Sequence, residues 1–430
     1  MWGITRYQWL VLFAAWLGWG FDVFDGLLFN YVAPNCIPTL LHLPLGSPAA
    51  LASTQFWTGA LTSLLLVGWA LGGMLFGFVC DRFGRMRTLM LTMVLYAVGT
   101  AACAGASNLW ELAAFRLIAS LGIGGEWAAG AAMVAEVMPE KRRVEGGALL
   151  YTAGPFGLFL ATQVNYQVAR VWFVDAPQSS WRYVFLCGLL PAAVAFAVRS
   201  FVREPERWQS ELQRRQASLA QIFTPELRRR TLLGTLTTIV ALVSWWSCSA
   251  FIPVIAAGLA HDAAVARALA ATATQQLIED WKYSATMAFN VGGLIGTLAT
   301  IPLAKGLGRR PMFAIYFAAS AAAIFATFQP HLEAQTRLYM FFLVGIPVFG
   351  VFGAFPFYLP ELFPTRLRAT GAGFCYNIGR VLAAAGPMLV VAAAHRGAAM
   401  QSIFYVGFAP LLALLLVPKI IETRGGTLAD

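Results

Sequence analysis

Twelve stretches, each long enough to cross a lipid bilayer as a helix, take up most of this 430-residue chain. They run over 7–33, 56–80, 88–106, 109–136, 144–172, 181–202, 232–258, 283–304, 312–329, 337–359, 367–394 and 401–420. About 20 apolar residues suffice to span the hydrocarbon core as a helix. No period-two alternation recurs at the ten-residue spacing of a transmembrane barrel, so the spans are read as helices. Composition agrees: charged residues make up 12% of the chain, against about 25% in a soluble domain. The expected fold class is an all-α membrane protein.

The chain also repeats itself. Gly72 matches Gly296, and Gly84-Arg85 matches Gly308-Arg309, at an offset of 224. Glu136, Pro139 and Arg143 match Glu361, Pro364 and Arg368 at an offset of 225. Each half holds six spans, an even number, so both halves enter the membrane from one side. The spacing predicts two parallel six-helix bundles related by a pseudo-twofold axis along the membrane normal. The expected division is 1–202 for the first bundle, 203–231 for a polar linker and 232–430 for the second bundle.

The net charge of +10 would raise nucleic acid as a partner in a soluble protein. Here the basic residues fall in alternate loops: Arg82, Arg85 and Arg87; Lys141 to Arg143; Arg203 to Arg230; Lys305 to Arg310; Arg366 and Arg368; Lys419 and Arg424. Pro34 to Gln55 holds no Lys or Arg. Basic loops stay on the cytoplasmic side, so both termini are expected there, and no nucleic-acid partner is expected. The six cysteines show no paired spacing, and they supply no metal site. The first span is too long for a signal peptide and is read as a retained helix.

Ionisable residues inside the spans are costly to insert and mark function. Asp22 and Asp25 sit three apart in the first span, read as one helix face. Two carboxylates so placed resist ionising together, which suits a proton carrier; a fixed structural pairing with Arg116 or Arg380 is the alternative. Glu126 is the third membrane acid, placed to face either a cavity or a neighbouring backbone. Arg116 and Arg380, with Asn377 one turn from the latter, are candidates to hold a carboxylate, for which a guanidinium is geometrically suited. Asn30, Gln163, Asn165 and Trp246 are polar or aromatic candidates for substrate contact, or else packing residues. Glycines at helical spacing, among them Gly68, Gly72, Gly73 and Gly77, let helix backbones approach closely.

The loop after the second span reads Gly77-x-x-x-Asp81-Arg82-x-Gly84-Arg85. It resembles the signature loop of the major facilitator superfamily. Three more stretches extend the resemblance: Arg116 to Trp127 with its spaced glycines, Glu204-Pro205-Glu206-Arg207-Trp208, and Pro360 to Gly371. Asp22 and Asp25, together with Gly125-Glu126-Trp127, look most like the aromatic-acid and sialate/monocarboxylate proton symporters of that superfamily. The resemblance implies a charge latch at Gly77, Asp81, Arg82, Gly84 and Arg85. The second copy has Lys305 where the acid should be, so the latch is expected in the first half alone. Glu136 with Arg143 and Glu361 with Arg368 are expected to be gate pairs on the same side.

These readings together predict a secondary transporter, not an enzyme, that carries a small organic acid with a proton by alternating access. The expected partners are the substrate, protons and membrane lipid, with the protein a monomer in a bacterial cytoplasmic (inner) membrane. No Walker loop, zinc spacing or nucleophile elbow is present, and no cofactor is expected. A sugar or polyol porter and an organic anion exchanger of the same fold stand as alternatives, and a non-transporting membrane sensor as a third.

Overall fold

The computed structural model describes residues 5–83, 85–139, 142–190, 193–194, 197, 219–364, 367–394 and 399–424. Within its helices the side chains of 77–78, 80–87, 89, 125–133, 135–137, 143, 368–369, 393–394 and 399 lie outside the description. Among the described residues the chain is helical, without strands. The first half holds α1 (Arg6–Leu40), α2 (Pro48–Phe83), α3 (Arg85–Cys103), α4 (Leu109–Val137), α5 (Arg143–Tyr151), α6 (Ala153–Asn165), a π-helical turn (Tyr166–Trp172) and α7 (Pro177–Cys187). The second holds α8 (Arg228–Ala266), α9 (Ala271–Gly306), α10 (Arg309–Phe328) and α11 (Ala334–Gly350). It continues through a 3-10 turn (Val351–Ala354), α12 (Phe355–Glu361), α13 (Arg368–Ala383), α14 (Ala385–Ala394), α15 (Ala399–Val406) and α16 (Phe408–Ala413). Some spans are broken: α5 and α6 form one with the π turn, α11 and α12 form one, α13 and α14 another, and α15 and α16 the last. Nine of the described segments are long and apolar enough to cross a membrane unaided. The fold is a twelve-helix membrane protein in two six-helix bundles.

The pairing of helices displays the pseudo-twofold relation. Within the first bundle α2 packs on α4 and α1 on α6; within the second α9 packs on α11 and α8 on α13. Between bundles α2 meets α14, and its counterpart α9 meets α6. Two close backbone approaches fall at matching glycines. A Cβ on Gly72 would lie 2.1 Å from the carbonyl oxygen of Leu121, and one on Gly296 would lie 1.9 Å from that of Ile346. Only a residue without a side chain permits such backbone contact, and membrane helices associate through it. Leu71, Met74, Leu75, Leu294, Ile295 and Leu298, on the outer faces of α2 and α9, are exposed.

Several helices outrun the apolar stretches. The first continues through Pro34 and Pro38 to Leu40, and α8 and α9 reach Ala266 and Ala271. Alanine is the best helix former, and the Ala-rich stretch after Pro253 keeps the coil going beyond the hydrocarbon depth. The Ala-rich outer segment Gly258 to Lys282 is therefore two helix ends with a short turn between. Residues 198–218, which include Glu204 to Trp208 of the linker, lie outside the described residues. A 3-10 turn, Leu219–Phe223, leads from the linker toward α8.

Candidate functional site

Between the bundles lies a small cavity of about 30 Å³. Trp19, Val23 and Leu27 line it from α1; their four-residue spacing puts them on one helix face. Trp69 comes from α2, Tyr151 and Gly154 from the broken fifth span, and Leu242, Trp245 and Trp246 from α8. Phe349, Phe352, Tyr376 and Arg380 complete the wall from the tenth and eleventh spans. Among these described lining residues Arg380 alone is ionisable as a cation, in a wall otherwise built of aromatic and aliphatic groups.

Arg380 is held from three sides. Its guanidinium carbon lies 4.5 Å from the centre of the Trp69 ring and 4.6 Å from that of Tyr376, so cation–π attraction fixes its plane between two rings from different bundles. One Nη donates to Asn377 Oδ1 at 3.2 Å. Asp22, fully buried, acts on Arg380 electrostatically across the bundle boundary. The hydroxyls of Tyr151 and Tyr376 are hydrogen-bonded to each other. These two tyrosines are separated by 225 positions, the repeat offset itself, so they are equivalent residues meeting where the halves face each other.

Asp25 occupies a different place. Its carboxylate is buried inside the first bundle, with Thr100, Arg116 and Gly188 around it. A Cβ on Gly188 would come within 2.5 Å of one of its oxygens. Arg116 donates to the carbonyl oxygen of Gly26 at 2.8 Å and stacks on Phe29 at 4.9 Å. Asp22 and Asp25 lie about 60° apart on one helix and have different neighbours: Arg380 is within electrostatic reach of Asp22, and Arg116 of Asp25. Arg116 likewise stands behind the cavity wall, while Arg380 and Trp246 are on it. Asn30 accepts from Thr62 at 3.4 Å within the first bundle.

Gln163 and Asn165 take part in a third arrangement, near the end of the molecule opposite the basic loops. Glu279 and Lys282 of α9 are fully buried and paired, with Nζ at 2.9 Å from both carboxylate oxygens. Asn35 of α1 donates to the same carboxylate at 3.2 Å, Asn165 of α6 at 3.1 Å, and Gln275 at 3.1 Å. Beside this knot, Gln163 donates to Tyr283 at 2.9 Å, and Arg170 pairs with Asp280 at 2.9 Å. The knot ties both bundles together. None of Glu279, Lys282 and Asp280 was a candidate from the sequence, because a hydropathy window begins the eighth span just after them. The opposite charges at Glu279 and Lys282, one turn apart, were the available signal.

At the basic end Lys305 reaches across the bundle boundary to Glu145, which also accepts from Arg142 at 3.1 Å. The lysine that breaks the second copy of the loop motif thus makes its own inter-bundle contact. Glu361 pairs with Arg309, through bonds of 2.7 and 3.1 Å, within the second bundle; the expected partner Arg368 has its side chain outside the described residues. So do Gly77, Asp81, Arg82, Arg85, Glu126, Glu136 and Arg143, and Gly84 is outside them altogether.

The sequence pattern of the Major Facilitator Superfamily matches residues 9–387. The chain belongs to the Major Facilitator Superfamily. It is a membrane transporter rather than an enzyme. It is similar to a probable 4-methylmuconolactone transporter of Cupriavidus pinatubonensis, at 29% identity over 96% of this chain and 90% of the relative. It is also similar to the sialic acid transporter NanX of Escherichia coli, at 25% identity over 94% and 92% of the two chains. Among solved structures it resembles the xylose transporter XylE from E. coli in a partially occluded inward-open conformation. That superposition has a TM-score of 0.73 at 20% identity and covers 99% and 100% of the two chains.

Proposed function

We propose that this superfamily member is a proton-coupled symporter of a small organic acid, working by alternating access in a bacterial cytoplasmic membrane. The observation that carries the reading is Arg380, an arginine set in an otherwise uncharged aromatic cavity at the bundle boundary and within electrostatic reach of Asp22. A guanidinium recognises a carboxylate with paired N–H groups. The names of the relatives, a muconolactone and a sialic acid transporter, support an organic acid over a neutral solute.

The coupling follows from charge. In the empty cavity Asp22 balances Arg380. An incoming carboxylate competes for the same guanidinium, and two anions beside one cation repel each other. Asp22 taking a proton removes that conflict, so substrate and proton load together. Asp25 and Arg116, set deeper in the first bundle, form a second acid–guanidinium couple toward which that proton can pass. The knot at Glu279 and the contact of Lys305 with Glu145 then act as closures of opposite ends, each bridging the bundles and each broken in turn as they rock.

A neutral-sugar porter of the same fold is less well supported. The cavity lining is poor in hydrogen-bonding side chains, and the two tyrosine hydroxyls there already serve each other. The test is uptake of radiolabelled carboxylates into vesicles containing purified protein, with and without an imposed inward proton gradient. The reading requires gradient-driven accumulation that Arg380→Ala abolishes and that Asp22→Asn reduces to downhill exchange. Accumulation by Asp22→Asn and Asp25→Asn variants equal to wild type would falsify the coupling scheme.

A further inference from the structure

Two polar groups in the cavity wall have no part in proton coupling or in holding Arg380 through a hydrogen bond. Trp69 and Trp245 are 3% and 7% exposed, and among the described residues the indole N–H of each has no hydrogen-bond partner. A buried donor left unmatched is costly, and native structures leave few of them without a reason. Both indoles line the same empty volume, so a bound molecule is the available partner for each.

The two stand in different surroundings. Trp69 lies directly against the Arg380 guanidinium. Trp245 is held among rings: edge-on to Trp246 at 4.7 Å, to Phe349 at 5.4 Å and to Phe352 at 6.0 Å. Those contacts fix the indole plane, so its N–H direction is set before any ligand arrives. An acid anchored at Arg380 beside Trp69 would extend across the cavity toward this second wall.

We infer that Trp245 is a specificity-determining residue: its indole N–H selects acids that carry a second hydrogen-bond acceptor away from the carboxylate. The N–H of Trp69 serves the carboxylate end beside Arg380. This rests on the carboxylate reading of Arg380. A ligand with a distal acceptor satisfies the Trp245 donor, whereas an apolar isostere of the same shape leaves it unmatched. Discrimination of this kind comes from the unpaired group in the site, not from lost contact area.

The experiment compares isosteric probes by titration calorimetry on purified full-length protein. Benzoate, nicotinate and isonicotinate differ only in whether and where a ring nitrogen replaces a C–H. Wild type is expected to bind one pyridine acid about tenfold more tightly than benzoate, the scale of one net hydrogen bond. Trp245→Phe removes the N–H and should bring that ratio close to one, whatever its effect on benzoate binding itself. Trp69→Phe should weaken all three acids alike. Trp110→Phe, at an exposed position (76%), should change nothing. Equal wild-type affinity for all three acids overturns the inference while the carboxylate reading stands, and it needs no variant to be folded. Loss of all three acids in parallel on Trp245→Phe overturns it too, because the residue would then act by packing. Absence of Arg380-dependent binding of any acid overturns the carboxylate reading and this inference with it.

Discussion

Replacing Asn35 and Asn165 together by alanine should open the end of the molecule that carries the Glu279 knot. These two side chains are the first-bundle donors to Glu279, at 3.2 and 3.1 Å. The remaining bonds, from Lys282 and Gln275, come from the same helix as the acceptor and survive any movement of the bundles. The double substitution therefore weakens only the closed arrangement and leaves the buried ion pair compensated, which substitution of Glu279 itself would not. A hydrogen bond to a charged group contributes about 1.5–3 kcal/mol. Both bonds are of ordinary length, so the lower figure applies, and two give about 3 kcal/mol. At 1.4 kcal/mol per factor of ten, the equilibrium moves by roughly a hundredfold. A population of about 99:1 in favour of closure would become about even. Spin labels on Ser107 and Arg267, exposed residues in that end's loops on opposite halves, report the opening directly once the native cysteines are replaced. A second, longer distance should appear in the double variant and not in either parent background. An unchanged distance distribution would refute the assignment of the knot as a closure.

At the opposite end, Glu145→Lys and Lys305→Glu should each slow uptake, and the double swap should restore most of it; Lys305 is 45% exposed, so the single effects should stay within about fivefold. Gly72→Ala and Gly296→Ala should each lower thermal stability by about 1–3 kcal/mol, read from melting in detergent, because a backbone oxygen cannot give way to the added methyl. Glu422 closes the N-terminus of α10 by accepting from the backbone N–H groups of Arg309 and Arg310 at 2.9 and 3.0 Å. Partial burial alone would raise its carboxyl, but these bonds and that of Arg424 hold it below the ordinary value. Its contribution is therefore present above about pH 4.3 and lost as pH falls through the lowered value. The melting-temperature advantage of wild type over Glu422→Gln should hold at neutral pH and vanish on acidification below that range.

The fold was legible because bilayer thickness imposes a length on each span and duplication imposes a period. Both are one-dimensional signals that survive without any knowledge of contacts. The cavity was legible only where a residue was chemically out of place in hydrocarbon. Arg380 qualified, and so did Asp22. Trp69 and Trp245 did not, because a tryptophan in a membrane helix is ordinary until the absence of a partner for its N–H is seen. Hydropathy alone also misplaced the start of the eighth span, leaving Glu279 and Lys282 outside it; the alanines before them favour helix by propensity and extend it further than the apolar count does. The tyrosine pair had a signal that went unread. Tyr151 and Tyr376 stand at the same offset as the loop motifs, and equivalent residues near a twofold axis are the ones able to touch each other.

Helical geometry explains why two acids three positions apart do different things. At about 100° per residue, Trp19, Val23 and Leu27 cluster within about 40° of the direction of Val23. Asp22 falls about 100° away, at the flank of the cavity face, while Asp25 falls about 160° away and points into the first bundle. The same spacing that suggested a shared face thus divides the acids between the bundle boundary and the bundle core. The second half has no counterpart to either: the stretch at the matching place in α8, Ser244 to Ala250, holds no charged residue, and Pro155 stands 225 positions before Arg380. Symmetry is kept in the glycine contacts within each bundle and in the tyrosine pair between them. It is broken in the ionisable groups. The acids sit in one bundle and the cavity guanidinium in the other, so any movement of the bundles relative to each other changes the distance between those charges.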